Sequence, residues 1–425
     1  MPDRSNRRKF LSGLCATGLG GLAGCLDAVP GLGSSDVGAG SEIGGTDRTI
    51  KLGIMKPLSG DLESVGGPIR DAAELPIKQV EDEIDLEIDY EVADTETSPS
   101  TAVQEAARLV DEGYPMINGP ADSDVTLQTT QQVLIPHRVV SCSPAATTPT
   151  ITSLNDAGLV FRTAVSDSLQ GVALAQQAAT DLGHGTAATL YVDTDYGWQL
   201  SQAFSKSFRT DHGGTVSAQV PVERKQGSYE TELETAMEDN PDLLIVIGNP
   251  ETGAQLFDDL AARSDRNGVD VLVTDGLRDG DLHEETSQSI DGIRGTAPVA
   301  DGPGNPHFTE SFKETYDAEP GIFTAHAYDA TAVLLLANAY AGQNDGTAIR
   351  SAMQAVTYTP GETVGPSSLA DGIERAAQGE NVAYEGASSP VNFDGNGDVT
   401  SATFEYWEFD ERADDGITTI DEVTL

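Results

Sequence analysis

Ile50-Lys51-Leu52-Gly53-Ile54-Met55 is a short apolar run. After a helically spaced segment at 69–84 comes a second run, Leu86-Glu87-Ile88-Asp89-Tyr90-Glu91-Val92-Ala93. Strand, helix and strand in that order predict a βαβ unit. The alternation continues outward. Ser98–Glu112 reads as a helix, with Ser98-Pro99 as its start signal. Met116-Ile117 run into Gly119 as a strand end, 124–135 is helical, and Val139-Val140-Ser141 is a further strand. The pattern restarts after Arg162. Helices at 168–182, 198–212, 229–239 and 252–263 alternate with apolar runs at Ala187–Val192, Val216–Val220, Leu243–Ile247, Val271–Thr274 and Ile293–Ala297. The expected class is α/β, with two doubly wound parallel-sheet lobes. Lobe 1 would take residues 49–167 plus about 298–385, and lobe 2 residues 168–297 plus about 386–425. The late helices at 307–316 and 324–340 are expected to return to lobe 1. The chain has no short tandem repeat, which excludes solenoids and propellers.

The 425 residues include 24 basic and 69 acidic side chains, a formal charge of −45. The basic residues cluster at the start, and only seven lysines occur in all. Beyond residue 24 there remain 20 basic against 68 acidic residues. Nucleic acid is excluded as a partner, because phosphate contacts need clustered Lys and Arg. The acidity is spread through periodic segments instead of gathered in a tail. It therefore reads as a salt-adapted surface, whose self-repulsion concentrated salt screens.

The first 48 residues read as an address. Ser5-Asn6-Arg7-Arg8-Lys9-Phe10-Leu11 resembles a twin-arginine export signal, and the apolar stretch Leu11–Gly24 is too short for a comfortable membrane span. Leu22-Ala23-Gly24-Cys25 resembles a lipobox, which makes residues 1–24 a cleaved signal and Cys25 the lipidated N-terminus. Residues 25–48 would be a flexible tether, rich in Gly, Ser and Asp. Membrane attachment would run through the lipid anchor alone. Of the three cysteines only Cys142 lies in the body, so no disulfide can form within it.

Several motifs in the body carry a resemblance when taken in order. Ser143-Pro144-Ala145-Ala146-Thr147-Thr148-Pro149-Thr150-Ile151-Thr152 is the sharpest. Phe161-Arg162-Thr163-Ala164, Asp167, Gln170-Gly171, Tyr196-Gly197, Tyr328-Asp329-Ala330 and Phe393-Asp394-Gly395-Asn396-Gly397-Asp398 follow. Together, from about Ile50 to Phe409, the chain resembles the leucine/isoleucine/valine-binding proteins of the type I periplasmic binding fold. The resemblance implies two lobes joined by a multi-strand hinge, with the ligand in the cleft. It implies no cofactor and no enzymatic activity. It also implies an amino acid as ligand, branched-chain in type, delivered to an ABC permease and ATPase by a monomer. An amide, urea or aromatic acid as ligand, or a ligand-sensing role, is the alternative within the same family.

The family's amino-acid clamp carries over residue by residue. Ser123, Ala145 and Thr147 match the donors to the ligand carboxylate. Asp167 and Asp275, the latter followed by Gly276, match the acids that face the ammonium group. Tyr196 matches the covering tyrosine. Ser64 falls near the first-lobe pocket loop, and Asn249 stands where branched-chain binders carry an aromatic residue. Thr97 and Asp122 occupy the positions of the family's disulfide. Each residue also has a local reading: Ser123 and Asp167 as helix caps, Ala145 and Thr147 as shapers of a Pro-bounded loop, Asp275 as a turn residue, Tyr196 as lobe-edge packing.

Other chemistries lack a pattern. Asp394, Asn396, Asp398 and Glu405 imitate a calcium loop, but Val399 stands where its sharp turn needs Gly. That segment is expected to be a structural turn. The six histidines show no metal-ligand pairing, so no metal is expected. Neither a G-x-S-x-G elbow nor a Walker-type loop occurs.

Overall fold

The computed structural model describes residues 48–263, 268–358, 360–413 and 415–425. The export signal, Cys25 and nearly all of the tether lie outside the described residues. The strands are β1 Thr49–Lys56, β2 Glu87–Asp94, β3 Met116–Asn118, β4 Val140–Ser143, β5 Val160–Arg162, β6 Thr186–Val192, β7 Thr215–Val222, β8 Leu243–Ile247, β9 Asp270–Val273, β10 Arg294–Pro298, β11 Glu362–Val364, β12 Val382–Tyr384, β13 Thr403–Phe409 and β14 Ile417–Thr424. β1 to β5 form one parallel sheet in the order β2-β1-β3-β4-β5. The second sheet runs β14-β13-β10-β9-β8-β6-β7. Its β6 to β10 are parallel, whereas β13 and β14 add an antiparallel edge. The fold is thus α/β with two sheet-centred lobes, the class that the alternating runs predict.

Both sheets are covered on both faces, and the strand residues show why. In β6 and β8, Ala188, Leu190, Leu244 and Val246 pack with Leu233 and Leu256 on one side. Ala187, Leu243, Ile245 and Ile247 pack with Leu174, Leu200 and Phe204 on the other. Successive side chains of a strand point to opposite faces, so unbroken apolar strands need helices on both. In lobe 1 the helix Thr324–Ala341 has every residue from Thr324 to Ala339 buried. A helix buried on all sides is a central one, and this one packs against the first sheet beside the helix Glu63–Val80.

Local signals placed most boundaries within a few residues. Ser98 caps the helix Pro99–Asp111 by accepting from Thr101 N. The helix Glu63–Val80 is the clear departure. It starts six residues before the expected 69 and runs through Pro68 and Pro76. Burial of Ile69, Ala72, Ala73, Leu75 and Ile77 outweighs the breaker signals. Gly66 makes the early start possible, because a Cβ there would lie 1.7 Å from the Pro57 carbonyl oxygen. The strands β5 and β11 to β14 were not read from the sequence.

The chain crosses between the sheets at 163–166, just after β10, and between β12 and β13. Among the described residues no helix is long and apolar enough to cross a membrane.

Candidate functional site

The carboxyl ends of the two sheets meet. Parallel strands carry their binding loops at that end, and side chains from both sheets touch there. Arg224, just past β7, pairs with Asp122 past β3 at 2.9 Å. Lys225 bridges Asp61 past β1 at 3.0 Å and Glu251 at 3.3 Å. Asp195 N donates to Asp124, and Thr148 Oγ1 bonds the Asp195 carboxylate. Asn249 Nδ2 reaches the Asp61 carbonyl at 3.2 Å. The cleft is therefore in a closed arrangement.

On the lobe 1 side, Ser123 is the first residue of the helix Ser123–Thr129. Asp122 is the cap of that helix, through Val125 N, so Ser123 is free of the capping role. Its side chain is buried. Thr147 is buried and its carbonyl accepts from Asp167 N at 2.9 Å. Ala145 packs at the edge of the core. The loop is held from beneath by Arg162, fully buried at the end of β5. Its guanidinium donates to the Ala146 and Thr148 carbonyls at 3.2 and 3.0 Å and to Thr152 Oγ1 at 2.8 Å, and it pairs with Asp398. Asp394 Oδ1 accepts from Asn396 N and Asp398 N, so the late Asp-rich segment is a turn that presents Asp398 to Arg162.

The lobe 2 side has the opposite character. Tyr196 Oη lies between Thr274 Oγ1 at 2.9 Å and Asp275 Oδ1 at 3.1 Å. Asp167 and Asp275 are both buried. Burial pushes both carboxyls up, and for Asp167 the charge of Asp275 adds to the push. Burial and the same two acids drive the Tyr196 phenol up. Thr147 lies close enough to favour the ionised form of Asp167, but neither oxygen of Asp167 has a hydrogen-bond partner of acceptable geometry. Ser166, not Asp167, caps the following helix. Gly276 fits because a Cβ there would lie 2.3 Å from the Gly248 carbonyl and 3.2 Å from Tyr196 Oη.

The structure thus gathers Asp167, Tyr196, Asp275 and Gly276 in one cluster, with Thr147 against Asp167. Ser64 is exposed in the first turn of the helix Glu63–Val80 and stands outside that cluster. Thr97 Oγ1 takes the Leu62 amide instead of a sulfur bond, and Asp122 takes Arg224. The interlobe pairs of Arg224, Lys225, Asp61 and Asp195 were not read from the sequence. One signal existed: Arg224-Lys225 is the only adjacent basic pair after the N-terminal segment.

The periplasmic binding protein family model matches residues 49–400. The chain belongs to the periplasmic binding protein family. One relative is the chemotactic signal transduction system substrate-binding protein BasB of Halobacterium salinarum, 26% identical over 315 residues, 73% of this chain and 72% of the relative. The leucine-, isoleucine-, valine-, threonine- and alanine-binding protein of Pseudomonas aeruginosa is 24% identical over 326 residues, 75% of this chain and 85% of the relative. Among solved structures, a leucine-binding protein of Thermotoga maritima superposes with a TM-score of 0.72 at 24% identity, covering 88% of this chain and 98% of that one. A solute-binding protein of Rhodopseudomonas palustris holding 3,4-dihydroxybenzoic acid gives 0.70 at 20% identity, covering 88% and 97%. Periplasmic binding proteins that hold amino acids and ones that hold aromatic acids thus share this fold.

Proposed function

We propose that the protein captures an α-amino acid in the cleft outside the cell and delivers it to an ABC importer. One observation carries the reading. Asp167 is fully buried, only the Thr147 hydroxyl lies near it and neither oxygen makes a hydrogen bond of acceptable geometry, and it faces a second buried acid, Asp275. Two carboxylates removed from water need a cation or a proton between them. An ammonium group supplies the cation and donates to Asp167, to Asp275 or to both. Across the cleft, Ser123, Ala145 and Thr147 offer a neutral, donor-bearing edge that fits a carboxylate. An aromatic acid, the ligand of several structural neighbours, would leave both acids unmet. The branched-chain class agrees with the names of the Pseudomonas aeruginosa relative and of the solved leucine-binding protein, whereas the wall at Asn249 is polar. Closure would present a different outer surface from the open form, which is how capture becomes delivery.

Asp275→Ala should weaken binding of the cognate amino acid by about 100-fold or more, since it removes a desolvated charge partner. Calorimetric titration at molar salt reads this directly, and unchanged affinity would sink the assignment.

A sensing output is the second reading, favoured by the chemotactic relative BasB. Both outputs need attachment at the outer face of the membrane, for which the lipobox at Cys25 and the twin-arginine pair Arg7-Arg8 are the basis. Cys25→Ser should release the protein into the medium, as immunoblotting of cells and supernatant would reveal; retention on the membrane fraction argues against the anchor.

A further inference from the structure

Asn249 stands at the N-cap of the helix Pro250–Ala262. Asn is favoured there because its side-chain oxygen can accept an amide N–H of the first turn. Asn249 makes no such bond. Its Nδ2 instead donates across the cleft to the Asp61 carbonyl at 3.2 Å. That contact fixes which end of the amide is which, because the exchanged orientation would set oxygen against oxygen. Oδ1 is therefore the free end, and it is buried with no partner, in a residue only 5% exposed. Three residues on, the Thr252 hydroxyl is likewise buried and unpaired.

The position is informative. The Gly248 carbonyl and Tyr196 Oη both crowd the point where a Cβ of Gly276 would stand. Asn249 is thus the next residue along from the wall of the Asp275–Tyr196 cluster. Lys225, between Asp61 and Glu251, adds an ion-paired bridge on the same side. A local cap has been given up, one hydrogen bond holds the amide across the lobes, and one acceptor is left over. A buried acceptor without a donor costs free energy in every closed form that does not meet it.

We propose that Asn249 reads the ligand side chain, and that the bound amino acid carries a short side chain with a hydrogen-bond donor, a hydroxyl or an amide, which donates to Asn249 Oδ1. This inference rests on the amino-acid reading above. A branched aliphatic side chain fills the same volume and leaves the acceptor unmet, and a site built to bond a polar group rejects the isostere that lacks it.

The test uses isosteric pairs, threonine against valine and asparagine against leucine, titrated calorimetrically into the full chain at molar salt, with alanine as a ligand that has no side-chain donor. The expected result is that the polar member of at least one pair binds about tenfold tighter or more. Asn249→Leu also deletes the cross-cleft bond to Asp61, so affinity for every ligand, alanine included, is expected to fall. The readout is the polar-to-apolar affinity ratio, which should collapse to about one; an unchanged circular dichroism spectrum at molar salt shows that the variant is folded. Equal or tighter binding of the apolar member in both pairs overturns the inference, as does a preference that survives Asn249→Leu. A protein that binds no amino acid at all, alanine included, overturns the amino-acid reading itself, a result distinct from loss of discrimination.

Discussion

Asp329 and Asp167 are the same residue type, and both are fully buried, yet their surroundings differ completely. Asp329, on the helix Thr324–Ala341, accepts from Tyr384 Oη at 2.7 Å, Ala387 N at 2.8 Å, Ser388 N at 2.7 Å and Ser388 Oγ. These bonds tie the central helix of lobe 1 to the start of the last crossing between the sheets. Burial raises its carboxyl to about 6, against the pull of its donors. Asp167 has burial and a neighbouring acid, with only the Thr147 hydroxyl nearby and no hydrogen bond of acceptable geometry. The contrast teaches that burial of a charge does not by itself mark a ligand site: Asp329 is buried and fully bonded, and Asp167 stands out because its unmet oxygens face a second buried acid. Lys56 is intermediate. It is buried at the end of β1 and donates to Asn118 O and Oδ1 at 3.2 and 2.6 Å, and no salt bridge reaches it among the described residues.

Substitutions at these three positions can break the comparison. Asp329→Ala should have the largest effect, because it strands several buried donors at once. A loss of about 3–5 kcal/mol in unfolding free energy is expected at molar salt, with ligand affinity of the remaining folded protein unchanged. A variant that unfolds normally but fails to bind would place Asp329 in the ligand site instead.

Lys56 gives a pH signature. Burial lowers its pKa from 10.5 to about 7. From about pH 7 to 10.5 the unfolded chain holds a proton that the folded chain has released, so this group's contribution to stability rises with pH across that window and falls as pH drops toward 7. Lys56→Met lacks this contribution. Between pH 7 and 9 the wild type should gain about 2 kcal/mol relative to the variant, read from denaturant midpoints of both proteins. Parallel pH profiles would mean that the amine stays charged in the fold.

Asp167→Asn should have the smallest effect on stability and the opposite sign. Removing a buried carboxyl whose ionised form is disfavoured by burial and by Asp275 should raise the unfolding free energy by about 1 kcal/mol. The same change should weaken ligand binding about tenfold, because the ammonium loses a charged partner. Loss of stability together with unchanged affinity would make Asp167 a structural acid like Asp329 and undo the distinction.

The legible part of the fold lay in periodicity. β1, β2, β6, β8 and the helices between β6 and β8 follow from local apolar runs, and their boundaries fall within a few residues of expectation, whereas the helix between β1 and β2 starts six residues early. The antiparallel strands β13 and β14 were missed, because their role as an added sheet edge depends on β10, more than a hundred residues earlier. The export signal, the Cys25 lipobox and the acidic surface are readings of local sequence and stand on it alone.

The site divides in the same way. Order and spacing of motifs pointed to Ser123, Ala145, Thr147, Asp167, Tyr196, Asp275 and Gly276 as one clamp. Only the tertiary structure distinguished Asp122 from Ser123 as the cap, left Ser64 exposed, and turned Asn249 away from its helix toward Asp61. It alone set Arg162 under the Ala146–Thr148 loop with Asp398 as partner, and Arg224 against Asp122. The physical reason is range. Helix and strand patterns, caps and turns are fixed by neighbours a few residues away, which a sequence displays. Whether a buried carboxylate or amide finds its partner depends on residues separated by 102 positions for Arg224 and Asp122, 188 for Asn249 and Asp61, and 236 for Arg162 and Asp398. Those distances close only when two lobes, each built by local rules, come together.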